Sequence, residues 1–193
     1  IARLCELRGT ENVTITGNTI NNTYEHAMLL AAGGYSGNVS ITGNTADGIH
    51  DRFVRMAGGE NATVVIEDNN ITNYLGNDPD YIKITDSINN IINDASNVTI
   101  ENNKLINTVI VPANNTEVVL DGGNIDVTVP ASDTSEGDEY RIEVSNEENT
   151  NTAGETNVSF DLTLYKNGTA VIGGTTTYEV ALNIGVGKII SSV

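Results

Sequence analysis

Tryptophan is absent from this chain of 193 residues; cysteine occurs once, phenylalanine, methionine and histidine twice each, and proline three times. A single cysteine excludes an internal disulfide, and no Cys/His spacing of the zinc-binding kind occurs. Cys5 reads as a small buried hydrophobe, since no histidine lies near it in sequence to activate the thiol. Positive charge is scarce as well. Nine Lys and Arg stand against 26 Asp and Glu, a formal net charge of −17. Phosphate binding needs concentrated positive charge, so no nucleic acid is expected as a partner. No apolar run approaches the roughly 20 residues that span a bilayer, and no membrane span is expected. The opening Ile1-Ala-Arg-Leu4 has neither an initiator Met nor a signal peptide, so the expectation is a processed piece of something longer. A negative surface suits a soluble extracellular protein kept dispersed by its charge.

Asn, Thr, Gly, Val and Ile are abundant instead, a composition that favours strands and tight turns over helices. One line is written four times: Asn12-Val-Thr-Ile-Thr-Gly-Asn-Thr-Ile20, Asn38-Val-Ser-Ile-Thr-Gly-Asn-Thr-Ala46, Thr63-Val-Val-Ile-Glu-Asp-Asn-Asn-Ile71 and Asn97-Val-Thr-Ile-Glu-Asn-Asn-Lys-Leu105. The starts lie 26, 25 and 34 residues apart, a period that means one structural unit stacked on copies of itself. Alternation within each line is strand periodicity, with Val13 and Ile15, Val39 and Ile41, Val64 and Ile66, and Val98 and Ile100 on the inward parity. Asn18, Asn44, Asn69 and Asn103 fall at one turn position, where stacked amides can bond from layer to layer.

This Asn-Val-Thr-Ile repeat, with its turn asparagine and a second strand about half a coil away, resembles the right-handed parallel β-helix proteins of the pectate-lyase-like superfamily. The likeness covers roughly residues 1–122 and implies the C-terminal coils of a longer solenoid with an internal asparagine ladder. It implies little about activity, since the superfamily holds lyases, hydrolases, phage tailspikes, adhesins and structural stalks.

Aligning Ala32-Gly-Gly34 with Ala57-Gly-Gly59 sets Met28-Leu-Leu-Ala31 beside Phe53-Val-Arg-Met56. With Tyr81-Ile-Lys-Ile84 as the next layer, Leu29/Ala31, Val54/Met56 and Ile82/Ile84 point in. Met28/Leu30, Phe53/Arg55 and Tyr81/Lys83 point out, and Ala2-Arg-Leu4 is the candidate layer above. Residues 86–96 lengthen the third coil and read as an insertion. Past Pro130, short alternating strands and the hairpin signal Lys166-Asn-Gly-Thr169 suggest a small antiparallel β-sandwich, loosely Ig-like in texture. The expected architecture is therefore all-β: a right-handed parallel β-helix solenoid over 1–122, followed by an antiparallel β-sandwich domain over 123–193 that caps its lower end. Glu117-Val-Val-Leu120 and Asn124-Ile-Asp-Val-Thr-Val129 are candidates for a last coil.

The outward row carries the candidate chemistry. Arg55 and Lys83 stand on adjacent coils and call for anions, which Asp51, Asp78 and Asp80 on the entry loops could supply. Phe53 and Tyr81 form an outward aromatic pair, and His50, Glu25 and His26 lie at the same edge. Phe53, Arg55, Tyr81, Lys83 and His50 are thus the candidate ligand-binding residues, suited to acidic sugars. The resemblance implies more: a basic residue as proton-abstracting base, here Arg55 or Lys83, and acidic side chains holding Ca²⁺, here Asp51, Asp78 and Asp80. For hydrolysis, two of those carboxylates would form an acid/base pair instead. The residues alone predict no cofactor. The plainer alternative is a solvated face of ion pairs, each worth little. The leading expectation is a fragment of a secreted or cell-surface protein with a binding or structural role toward surface polysaccharide or a protein partner. The alternatives are the C-terminal part of a polysaccharide lyase or glycoside hydrolase, and a phage tailspike-type assembly.

Overall fold

The computed structural model describes residues 2–30, 35–58, 62–76, 82–85, 98–123, 125–152, 155–184 and 187–192. Asp78, Asp80, Tyr81, Ala31 and the insertion at 86–96 lie outside the described residues. The described chain is all-β, with one short 3-10 turn at Ala131–Asp133.

Three parallel sheets share the N-terminal part, and the chain visits them in rotation. The first holds Cys5–Leu7, Met28–Leu30, Val54–Ala57 and Ile82–Thr85. Its neighbour is built from Thr10–Thr16, Tyr35–Thr42, Ala62–Glu67 and Val98–Glu101. Thr19–Thr23, Thr45–Ile49, Asn70–Tyr74 and Lys104–Ile110 make the parallel portion of the third. Each copy of the repeated line supplies one strand to the second sheet and one to the third. Like therefore stacks on like: Val13, Val39, Val64 and Val98 pair in series, as do Ile15, Ile41, Ile66 and Ile100. Ile20, Ala46, Ile71 and Leu105 do the same in the third sheet. These side chains join Met28, Leu30, Phe53, Val54 and Met56 in one apolar cluster. Each fully buried Val, Ile or Leu contributes about 1.5–3 kcal/mol, so the alternation is the main force holding the sheets together.

The turns explain the rest of the motif. Gly17, Gly43, Asp68 and Asn102, each just before a ladder asparagine, have φ of 64°, 63°, 55° and 55°. That left-handed region suits Gly, and next Asn and Asp. From there Asn18 donates Nδ2 to Oδ1 of Asn44 at 2.9 Å, Asn44 to Asn69 at 2.9 Å, and Asn69 to Asn103 at 2.8 Å. Asn44, Asn69 and Asn103 are buried, so the bonds among these three lie shielded from water. A second left-handed column, Asn22, Gly48 and Asn73, bends the chain out of the third sheet.

Register in the first sheet departs from the glycine-based alignment. Met28 pairs with Val54, Leu29 with Arg55 and Leu30 with Met56. Met28 and Leu30 are buried, and Leu29 takes the half-exposed outer place assigned above to its neighbours. The reason is one of spacing: matching the glycines imposes 25 residues between layers, whereas the paired strands are 26 apart. The layer above is Cys5–Leu7, with Glu6 outward beside Leu29, and Ala2-Arg-Leu4 is not that strand. Phe53 is also corrected, at 0% exposure within the core. It precedes its strand at a corner where Arg52, Phe53 and Val54 are all buried, before alternation begins.

The C-terminal part grows directly from the third sheet. Lys104–Ile110 pairs parallel with Asn70–Tyr74 on one side and antiparallel with Glu139–Thr152 on the other, so the last parallel edge of that sheet is covered. Glu155–Lys166 and Thr169–Ala170 continue the sheet. Its hairpin turn has Asn167 at φ 49° and Gly168 at φ 79°, as a two-residue turn with two left-handed positions requires. A fourth, antiparallel sheet runs Val118–Asp121, Ile125–Val129, Glu179–Ile184, Gly187–Ser192. Val118–Asp121 and Ile125–Val129 form a hairpin with each other rather than a further parallel layer. Leu120, Ile125, Val127 and Val129 meet Tyr140, Ile142, Val144 and Leu164 in a second core. Among the described residues no helix is long and apolar enough to cross a membrane.

Candidate functional site

Strand pairing puts Glu6, Leu29 and Arg55 in one outward row of the first sheet, and Lys83 is paired with Arg55 in the next strand. Backbones in such a row are about 4.8 Å apart, so Arg55 and Lys83 are next neighbours, and the adjacency read from the repeat is present. Of the expected anions, Asp51 reaches Arg55 through His26, and Asp78 and Asp80 lie outside the described residues.

Arg55 is half-exposed and leans on the corner that precedes its sheet. Its guanidinium lies 3.4 Å from Nε2 of His26, a residue only 6% exposed. A guanidinium can only donate, so Nε2 accepts and the ring proton sits on Nδ1. Nδ1 lies 3.0 Å from Oδ2 of Asp51, although the N–H points out of line with that oxygen, making the contact electrostatic more than a straight hydrogen bond. The other Asp51 oxygen is 3.5 Å from Arg52. Burial pushes the His26 pKa below its ordinary value; Arg55, Arg52 and Arg3 push the same way against Asp51. The imidazole is neutral at pH 7 and joins an acid to a base.

Further along the row, Arg3 is paired with both Glu6 and Glu25, and Arg8 Nε donates to Glu6 Oε1 at 2.9 Å. The arginine nearby holds the Glu6 carboxyl below its ordinary pKa. Burial raises the Cys5 thiol pKa, which makes the thiolate less available.

Aromatic surface is present, but not where the alternation put it. Phe53 presents no face to a ligand. Instead Tyr24, 83% exposed, stacks on exposed His50 with centroids 5.8 Å apart and planes 19° from parallel. Leu75, 54% exposed, follows in the same column, its N–H bonded to Ile49 O just as His50 N–H is bonded to Thr23 O. Sequence reasoning passed over Tyr24. The signal was there: Tyr24-Glu-His26 and His50-Asp-Arg52 occupy equivalent places 26 residues apart.

Asp51 does not fit a Ca²⁺ ligand, because its carboxylate faces His26 and Arg52 rather than other oxygens. Among the described residues no three His, Cys, Asp or Glu side chains gather as metal ligands.

Comparison of the chain with protein-family models, curated proteins and solved structures finds no match to any of them. What it can bind is read from its own residues.

Proposed function

We propose that residues 1–122 form a stretch of right-handed parallel β-helix in a secreted or cell-surface protein, followed by a β-sandwich over 123–193. On this reading the first sheet and its corner bind an acidic polysaccharide. The rotation of the chain through three parallel sheets, one repeat per round, supports the architecture. The observation that carries the function is the Tyr24–His50 stack at the corner whose neighbouring residues, His26 and Asp51, brace Arg55. Flat aromatic faces receive the apolar face of a sugar ring, and a fixed guanidinium takes a carboxylate or sulfate in bidentate fashion. Arg3, Arg8, Arg52, Arg55 and Lys83 are five of only nine basic residues, concentrated on one sheet and its corner in a chain of net charge −17. That concentration of cations gives an acidic glycan a preferred landing place.

Binding is favoured over catalysis because His26, the imidazole that touches Arg55, is buried, while a general base must reach its proton. Calorimetric titration with polygalacturonate, and with a neutral glucan as control, tests the reading. Binding to the acidic polymer is expected, weakening about tenfold in Arg55→Ala and with added salt. No binding, or binding indifferent to Arg55→Ala and salt, overturns it. Release of shortened chains during the titration would make the protein an enzyme of the lyase or hydrolase kind.

A further inference from the structure

A second site lies at the opposite part of the molecule, where the two antiparallel sheets open at one end. A cleft of about 220 Å³ there is lined by Asp133, Lys166, Val171, Gly174, Thr175 and Tyr178, among others. It sits between the 3-10 turn, the Asn167-Gly168 hairpin and the loop leading into Glu179–Ile184.

Its centre is a carboxylate held from behind. Tyr178, 1% exposed, donates its hydroxyl to Oδ2 of Asp133 at 2.8 Å, and fully buried Tyr140 donates to the Asp133 carbonyl oxygen at 2.7 Å, with the same Oδ2 3.1 Å away. Two rigid donors from the core thus fix this residue, leaving Oδ1 3.6 Å from Lys166 Nζ. Lys166 also reaches Asp138 Oδ2 at 3.2 Å and lies 5.3 Å over the Tyr140 ring. The Tyr140 hydroxyl and the two carboxylates keep the ammonium charged. Burial and then Asp133 push the Tyr178 hydroxyl up to about 12, so it stays a donor.

The charges select the occupant. One ammonium faces two carboxylates, so an anion meets net repulsion, as it does from the chain at large. A cation meets Lys166 in the place it would need. What remains is a neutral group with several hydroxyls: Asp133 Oδ1 accepts, the Thr175 and Thr176 hydroxyls donate or accept, and Val171 and Ala170 supply an apolar wall. We propose that this cleft is a binding site for a single neutral sugar ring, the end unit or a side branch of a glycan. The site is independent of the Arg55 row and takes the uncharged kind of sugar that the row does not select.

Saturation-transfer NMR of the whole chain with millimolar glucose, galactose, mannose and N-acetylglucosamine tests this, with glucuronate as the charged control. Two variants leave the Asp133 network in place. Thr175→Ala removes a lining hydroxyl and spares Thr176, whose hydroxyl bonds Tyr178. Gly174→Phe plugs the cleft; Gly174 is not in the left-handed region, and a Cβ there meets only Val171 O, at 3.1 Å. Transfer to at least one neutral sugar, absent for glucuronate and reduced about tenfold in both variants, is the expected result. No transfer to any of the four, equal transfer to glucuronate, or transfer unchanged in either variant overturns the proposal. Arg55→Ala is expected to leave the signal intact, which separates this site from the first.

Discussion

Asn44 gives two hydrogen bonds to one oxygen of Asn69, from its backbone N–H at 3.0 Å and from Nδ2 at 2.9 Å. Asn69 in turn donates Nδ2 to Asn103 Oδ1 at 2.8 Å and to Ile41 O at 2.9 Å. All four bonding positions of a buried amide are filled, and no other side chain can fill them. Asn69→Leu leaves two N–H groups and a carbonyl without partners, each costing about 1–3 kcal/mol. A total loss of roughly 3–5 kcal/mol is expected from urea denaturation. Asn18, at the half-exposed end of the same ladder, can turn to water instead. Asn18→Ala is expected to cost about 1 kcal/mol. Equal losses at the two positions would refute the idea that burial gives the ladder its strength.

His26 sets one arm of the pH dependence. Facing Asp51, Arg55, Arg52 and Arg3, and pushed low first by burial, it resists protonation in the folded chain. The unfolded chain accepts that proton at about pH 6.5. As pH falls below that value the unfolded state binds more protons than the folded one, so stability drops toward the folded pKa. His26→Gln removes the titration. Wild type is expected to lose more stability than the variant when taken from about pH 7 to about pH 5. Parallel losses would show that His26 is not the group responsible.

Asp121 works with the opposite sign. Burial, with Asp126 opposite it in the hairpin, raises its pKa to about 6, while the Gly123 N–H at 2.7 Å pulls the other way. Here the folded state holds the proton more tightly, so its contribution is full below about pH 4 and is lost as pH rises through about 6. Asp121→Asn keeps the acceptor for Gly123 and carries no charge. After allowance for solvent screening, about 1 kcal/mol of added stability is expected near pH 7 and almost none near pH 4. Thermal melts at the two values decide it, and a variant less stable than wild type at both would contradict the burial argument.

The parts of this molecule that could be read from the chain are those where one residue type meets one local demand. The Val-x-Ile pairs show their inward parity by alternation alone. The position before each ladder asparagine is Gly, Gly, Asp and Asn because its φ is positive in every layer. The Asn167-Gly168 turn announces itself for the same reason. What escaped reading depends on lengths or on distant pairing. Leu29 faces out because layers are 26 residues apart there, and the glycines used for alignment are 25 apart. Pairing of Lys104–Ile110 with Glu139–Thr152 joins strands with no motif in common. Asn107 is buried at that junction, bonding Tyr74 N and O at 2.7 and 3.0 Å and Asp121 O at 2.6 Å. It looks like any other asparagine in a chain full of them. At the candidate site, the pairing of Arg55 with Lys83 on adjacent strands was legible from the alternation. Tyr24 was passed over and His26 was placed only at the edge of the row, because their roles come from a corner rather than from a strand.

Two glycines separate the conformational cost from the steric one. Gly43 has φ +63° and nothing within 4 Å of where a Cβ would stand. Gly37 has φ +72°, and a Cβ there would lie 2.3 Å from Oδ1 of Asn12, which accepts the Asn38 N–H at 3.0 Å. Gly43→Ala meets only the left-handed penalty, about 1–2 kcal/mol, and Gly43→Asn should cost less still, since Asp68 and Asn102 hold the equivalent position. Gly37→Ala meets that penalty and must also displace Asn12, breaking a bond between layers worth about 1 kcal/mol. The expected order of stability by urea denaturation is wild type, Gly43→Asn, Gly43→Ala, Gly37→Ala. Finding Gly37→Ala no worse than Gly43→Ala would mean that Asn12 moves aside freely and that its bond to the next layer contributes nothing to the stack.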